Sequence, residues 1–418
     1  MKRTIYSSIT KSVMKPFLLR LFVGILFIMS ISTTSAKVFE MVGDSIQISL
    51  LTCDPGKEVY ELYGHTAIRV KDFSKGHDWV FNYGVFSFKK PNFIWRFIKG
   101  ETDYELGVVS FRYFLDAYAS EGRNVYEQVL NLNKEEGAHL YASLVSNYLP
   151  ENRVYRYNFL YNNCTNRAIN KIEEHIDGEV VYVGNEQAYL SSYRSIIHEF
   201  VDGKDWVKLG QDLILGCDAD ISIGVKEQLF SPIYALGYVG KANITDATGK
   251  QRPLVLTEHI YKAEPTPLVS SPFAESTIWI FVLFLLLSFY FSYKDIKRGK
   301  VNFLFDNILL FIQGFLGVFL FGLFLVSEHP TVSSNLTWLF FCPISLLLVF
   351  VYPVLKYNKD VLEYTYGGFF CVLLLFFVIT RLMGQYYPLE IYIWALIFLV
   401  RIIAMGNVFH SKYKKIII

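Results

Sequence analysis

The chain has 418 residues, of which 52% are hydrophobic, 17% aromatic and only 19% charged, with a formal net charge of +2. Soluble domains carry roughly 25% charged residues, so this balance points to membrane segments. The near-neutral charge gives no footing for a nucleic-acid partner.

The N-terminus reads as a secretory signal. Lys2, Arg3, Lys11, Lys15 and Arg20 precede the apolar run LFVGILFIMSI, and STTSAK offers a cut after Ala36. An uncleaved signal anchor is the competing reading. Residues 37–262 are then an exported domain of α+β pattern. Strands are predicted over 45–53, 65–72 and 78–88 from β-branched alternation. The segment PNFIWRFIKG (91–100) mixes aromatic and aliphatic residues with Arg96 and Lys99, the composition of a helix lying in a membrane interface or packed on its own sheet. SFRYFLDAYASEG reads as a helix, NVYEQVLNL as a strand, 133–150 as a helix closed by Pro150, and RVYRYNFLY as alternating. Asn163, Cys164 and Thr165 open a helix to about Ile172, because Asn and Thr favour helix N-caps.

Residues 263–276 form a Pro/Ser-rich linker, followed by a predicted all-α membrane domain over 277–410 and a cytoplasmic tail over 411–418. Apolar runs at 277–293, 303–326, 336–355, 366–380 and 391–405 approach the roughly 20 residues a span requires. With the domain outside, nine Lys and Arg fall on the inner side and one, Arg381, on the outer. Gly314, Gly317 and Gly322 in the second run suit close helix packing.

Three of the five cysteines, Cys53, Cys164 and Cys217, are exported. An odd number in an oxidising compartment leaves one thiol over; Cys53 and Cys217 are either bridged or both free. Cys164 has a reason to be reactive, since a helix N-terminus favours thiolate. His65 follows Gly64 at a strand start, where glycine admits close approach of a backbone or a substrate. His139, His175 and His198 read as structural. The histidines and cysteines lack metal-ligand spacing, so neither a metal nor another cofactor is expected.

GHTAIRV on a strand and NCT opening a later helix resemble the circularly permuted papain-like fold of the NlpC type. More closely, LLTCDPGKEVYELYGHTAIRV, FNYGVFSFKKPNFIWRFIKGETDYELG, YNFLYNNCTNRAI and the SEHPTVSSN loop between spans resemble the Lnb family of Bacteroidetes lipoprotein N-acyltransferases. That resemblance implies a periplasm-facing inner-membrane enzyme. It would move an acyl chain from a phospholipid to the amino group of a lipoprotein's diacylglyceryl-cysteine. The membrane, the phospholipid donor and the diacylated lipoprotein are the implied partners.

Thiol-dependent acyl transfer needs a nucleophile, a base and a group that orients the base. Cys164, His65 and Asn82 are the candidates, with His77 the alternative orienter. Tyr83, Asn163, Arg167, Glu328, His329 and Arg381 are candidates for substrate binding. His329 in the outer loop is expected to face the site mouth. An NlpC-type peptidoglycan peptidase and a non-catalytic membrane-anchored scaffold are the alternatives. Five spans exceed what a peptidase needs as a tether.

Overall fold

The computed structural model describes residues 46–86, 92–184, 190–264, 276–301, 303–355 and 382–417, with scattered positions in 361–378. The predicted signal, most of the linker, Cys371, Arg381 and most of the fourth predicted span lie outside the described residues.

Strands β1 (Ile46–Cys53), β2 (His65–Asp72), β3 (His77–Val85), β4 (Asp103–Ser110), β5 (Val125–Leu130), β6 (Val154–Arg156) and β10 (Val255–Tyr261) form one sheet. Its order is β10-β5-β1-β2-β3-β4-β6, with every neighbouring pair antiparallel. Successive side chains of a strand point to opposite faces. Ile48, Leu50, Ile68, Val70, Phe81 and Tyr83 therefore share one face, covered by the helices Lys134–Tyr148 and Cys164–Glu173. Leu51, Cys53, Ala67 and Val80 share the other, under the helix Phe111–Ser120. Strand β1, inside the sheet between β5 and β2, is buried from Ile48 to Cys53, with Ser49 and Thr52 among its buried residues.

A second, three-stranded sheet joins β7 (Glu179–Val181), β8 (Asn243–Thr245) and β9 (Gln251–Pro253). Between β7 and β8 lie the helices Tyr193–Phe200, Asp205–Ile214 and Pro232–Val239. The first two are tied by buried Arg194, which bonds to Asp212 at 2.7 Å and Asp220 at 2.7 Å.

Among the described residues, three helices are long and apolar enough to cross a membrane: Ile278–Arg298, Phe303–Val326 and Leu389–Val408, the last within a helix running to Ile417. The third predicted span is broken. Thr337–Phe341 and Ile344–Leu355 are separate helices, with Cys342 at φ 40° and Pro343 between them. Gly314 and Gly317 let the Phe303–Val326 helix approach this break. A Cβ on Gly314 would lie 2.1 Å from Leu346 N, and one on Gly317 2.8 Å from Phe341 O. Gly322 has open space and serves no such packing. Arg401 is buried among the three long helices, holding Asp306 and Asp295 each at 2.7 Å.

The two halves are joined by more than the linker. Ile98, Leu213 and Ile214 of the sheet domain pack against the apolar cluster of the membrane helices.

Candidate active site

The loop before Cys164 is built by asparagines. Asn158 Oδ1 accepts from Leu160 N at 3.1 Å and Tyr161 N at 2.9 Å, turning the chain out of β6. That turn ends the predicted strand early. Asn163 then caps the next helix: its Oδ1 accepts from Thr165 N at 2.8 Å and Asn166 N at 3.0 Å. Its Nδ2 donates to Phe159 O at 2.9 Å and Phe230 O at 2.8 Å. All its polar capacity is used, and it is 5% exposed. Asn163 is thus a cap and a brace rather than a substrate contact.

β2 supplies the partner. His65 opens that strand opposite Cys53 of β1, and the β2–β3 register, extended from Ile68↔Phe81, brings Gly84 opposite its other side. Gly84 lies in a bulge between Asn82 and Val85 with φ +94°, a conformation glycine tolerates. A Cβ there would stand 3.7 Å from His65 Cε1 and 3.8 Å from Cys164 Cβ, so a side chain at Gly84 would contact both members of the pair. Asn82 Oδ1 lies 2.6 Å from His65 Nε2 and accepts a hydrogen bond from its N–H, leaving Nδ1 for Cys164. His77 is exposed at the far end of β3 against Trp79, so Asn82 is the side chain on the imidazole. Thr66 and Thr165, both fully buried, join strand to helix through their hydroxyls at 3.1 Å. The His65 ring stacks parallel to Tyr118, with centroids 6.4 Å apart.

Burial by itself would raise the Cys164 pKa. The neighbouring His65 charge and hydrogen bond, with the Thr66 amide and the Thr165 hydroxyl, outweigh it and lower the value. Burial would lower the His65 pKa; the Cys164 charge and bond and the Asn82 bond raise it instead. Each shift favours a thiolate–imidazolium pair. Cys53 lies across from His65 but is wholly buried, and burial pushes its thiol up. Cys164, Cys53, Cys217 and Cys342 are all free thiols. No Cys53–Cys217 bridge exists: one sulfur is inside the sheet, while the other residue sits on the short turn Cys217–Asp220.

The remaining candidates are spread out. Tyr83 is 1% exposed and donates to Asn147 Oδ1 of the helix Lys134–Tyr148 at 2.6 Å, a bond that ties β3 to that helix. Arg167 lies over the Tyr155 ring at 4.1 Å and donates to Asn162 Oδ1 at 2.8 Å. Glu328 is exposed and 3.7 Å from Arg156. His329 is held by the periplasmic domain, its Nε2–H donating to Phe97 O at 2.5 Å and its ring between Phe97 and Phe159. Burial, only partly offset by that bond, lowers its pKa and keeps it neutral. Gly64 serves a backbone: a Cβ would sit 2.7 Å from Cys53 O. His175 bonds to Lys171 O and His198 to Asp212.

Sequence reasoning missed Gly84, Thr66 and Thr165. Gly84 was readable only as a glycine inside a strand pattern, a bulge signal.

A model of the Lnb N-terminal periplasmic domain matches residues 40–198, and one of the Lnb transmembrane domain matches residues 269–415. The chain belongs to the Lnb family. The two matches, in this order, cover well over half of it. They make this Lnb-family chain a membrane protein with a periplasmic domain. No curated protein and no solved structure matches it.

Proposed function

We propose that this chain is a cysteine-dependent lipoprotein N-acyltransferase of the inner membrane. The observation that carries the reading is the convergence of Cys164, His65 and Asn82 with the thiol pKa lowered and the imidazole pKa raised. Membership of the Lnb family, with a periplasmic domain joined to a transmembrane domain, supports a substrate at the membrane, and the lipoprotein acceptor is part of the proposal. A histidine strand preceding the cysteine helix is also the order of a permuted papain-like, NlpC-type domain. Five spans in all, two of them the broken helix and the segment before Leu382, complete the proposed topology.

In the first half-reaction the Cys164 thiolate attacks a phospholipid ester carbonyl. The carbon–sulfur bond forms, the ester carbon–oxygen bond breaks, and His65 protonates the departing lysophospholipid oxygen. Asn163 takes the amides of Thr165 and Asn166, so Cys164's own N–H is the first-turn donor facing the developing oxyanion. In the second half the α-amino group of a diacylglyceryl-cysteine attacks the thioester. His65 accepts the amine proton, the amide forms, and the thiolate leaves. Asn82 holds the imidazole with Nδ1 toward the sulfur in both.

The peptidase alternative is disfavoured by the packing of Ile98, Leu213 and Ile214 against the membrane helices, a union that a substrate away from the bilayer does not require. Mass spectrometry of lipoprotein N-termini from cells with and without the gene tests the assignment. Loss of the N-acyl chain on deletion supports it; unchanged N-termini with altered cell-wall peptides would return the peptidase.

A further inference from the structure

The outer loop after the Phe303–Val326 helix does something a linker would not: it caps two helices of the periplasmic domain. Helix C-termini leave their last carbonyls without intrahelical partners. For the helix Phe93–Lys99, Ser327 Oγ donates to Ile98 O at 2.9 Å, Glu328 N to Lys99 O at 2.7 Å, and His329 Nε2 to Phe97 O at 2.5 Å. Gly100, at φ +77°, permits the approach, since a Cβ would lie 2.8 Å from His329 N. For the helix Asp205–Ile214, Asn335 Nδ2 donates to Leu213 O at 2.8 Å and Ile214 O at 3.0 Å. A Cβ on Gly216 would lie 2.3 Å from Thr331 O, so the fit is equally close there.

Both helices are thereby fixed at the outer end of the spans. Ile98, Leu213 and Ile214 face the membrane cluster, while Trp95 (56% exposed) and Trp206 (47% exposed) remain uncovered on the same two helices. Trp279, in the outer first turn of its span, is also exposed. Indole rings concentrate where acyl chains meet headgroups, because one edge is polar and the body apolar.

Resting on the acyltransferase reading, we infer that these two helices form a lip seated in the outer leaflet of the bilayer, delivering the donor phospholipid to Cys164. Its occupant is lipid, because the apolar surface is continuous with the membrane cluster. Each helix is also linked to a residue next to, or two before, one member of the dyad. Phe97 meets His329, whose ring meets Phe159, and Phe159 O holds Asn163 beside Cys164. Gln211 donates to the hydroxyl of Tyr63, in the turn before His65.

The test uses the full-length protein in lipid nanodiscs. A benzophenone amino acid is placed at 95, at 206 or at exposed Tyr113 on the far helix, then irradiated. Lipid adducts at 95 and 206 but not at 113 are expected; no lipid adduct at either, or equal yield at 113, overturns the lip. Independently, Trp95→Glu with Trp206→Glu should raise KM for vesicle phospholipid about tenfold or more. Turnover of a water-soluble short-chain thioester donor should not change, and equal loss with both donors overturns the delivery role. Lipid adducts at 95 and 206, together with wild-type protein that turns over neither donor, would support the lip and refute acyl transfer.

Discussion

Burial opposes a thiolate at Cys164, and His65, the Thr66 amide and the Thr165 hydroxyl together outweigh it. Removing His65 leaves burial in command. In His65→Ala the pH midpoint for alkylating Cys164 should therefore move upward from its lowered position, read by iodoacetamide rates across pH; an unmoved midpoint would detach the two residues. In the intact protein the ion pair is populated above the lowered thiol pKa and below the raised imidazole pKa. Acylation should thus be bell-shaped in pH, with macroscopic limits belonging to the pair. Cys164→Ser should lose at least about a thousandfold in turnover, since a hydroxyl here stays protonated, while keeping its melting temperature. Gly84 adds a constraint of another kind. A side chain at φ +94° is strained and would contact His65 and Cys164, so Gly84→Val should lower turnover by displacing them, measured as kcat with folding checked by circular dichroism.

At the scale of elements, two caps matter most. Asn163→Ala removes four hydrogen bonds at once. It should cost about 2 kcal/mol or more, visible as a lower melting temperature. Asn335→Ala leaves the carbonyls of Leu213 and Ile214 without their side-chain donor, a loss of about 1–3 kcal/mol. Exchanging Ser327–Asn335 for a polar linker should release both periplasmic helices, detected as faster amide exchange over 93–99 and 205–214. Much of this architecture was legible in the residues. β1, β2 and the cysteine helix follow from alternation and from an Asn-Cys-Thr start, which are local signals. β4 was not legible: DYELGVVS mixes charge with glycine, and its strand identity comes from pairing with β3 and β6. The partner of His329 was not legible for a related reason. Sequence gives its position in an outer loop, whereas its direction is set by Phe97 O, a partner 232 residues away. The missing Cys53–Cys217 bridge belongs here too, because compartment predicts oxidation but only folding sets distance.

For the whole molecule, the sheet domain and the membrane helices share an apolar cluster and two capped helix ends, so they should stabilise one another. The periplasmic domain alone would expose Ile98, Leu213 and Ile214 to water, and should melt at lower temperature than the full chain in detergent. Folded protein should offer Cys164 to alkylating reagents first and withhold Cys53, which is 0% exposed.

Acyl transfer through Cys164 requires a covalent acyl group on one sulfur. Purified full-length protein incubated with phospholipid, without an acceptor amine, should gain the mass of one acyl chain. Peptide mapping should locate it on Cys164, hydroxylamine should remove it, and His65→Ala should form it far more slowly. Intact protein that stays unmodified, or that carries the acyl group elsewhere, would contradict the account.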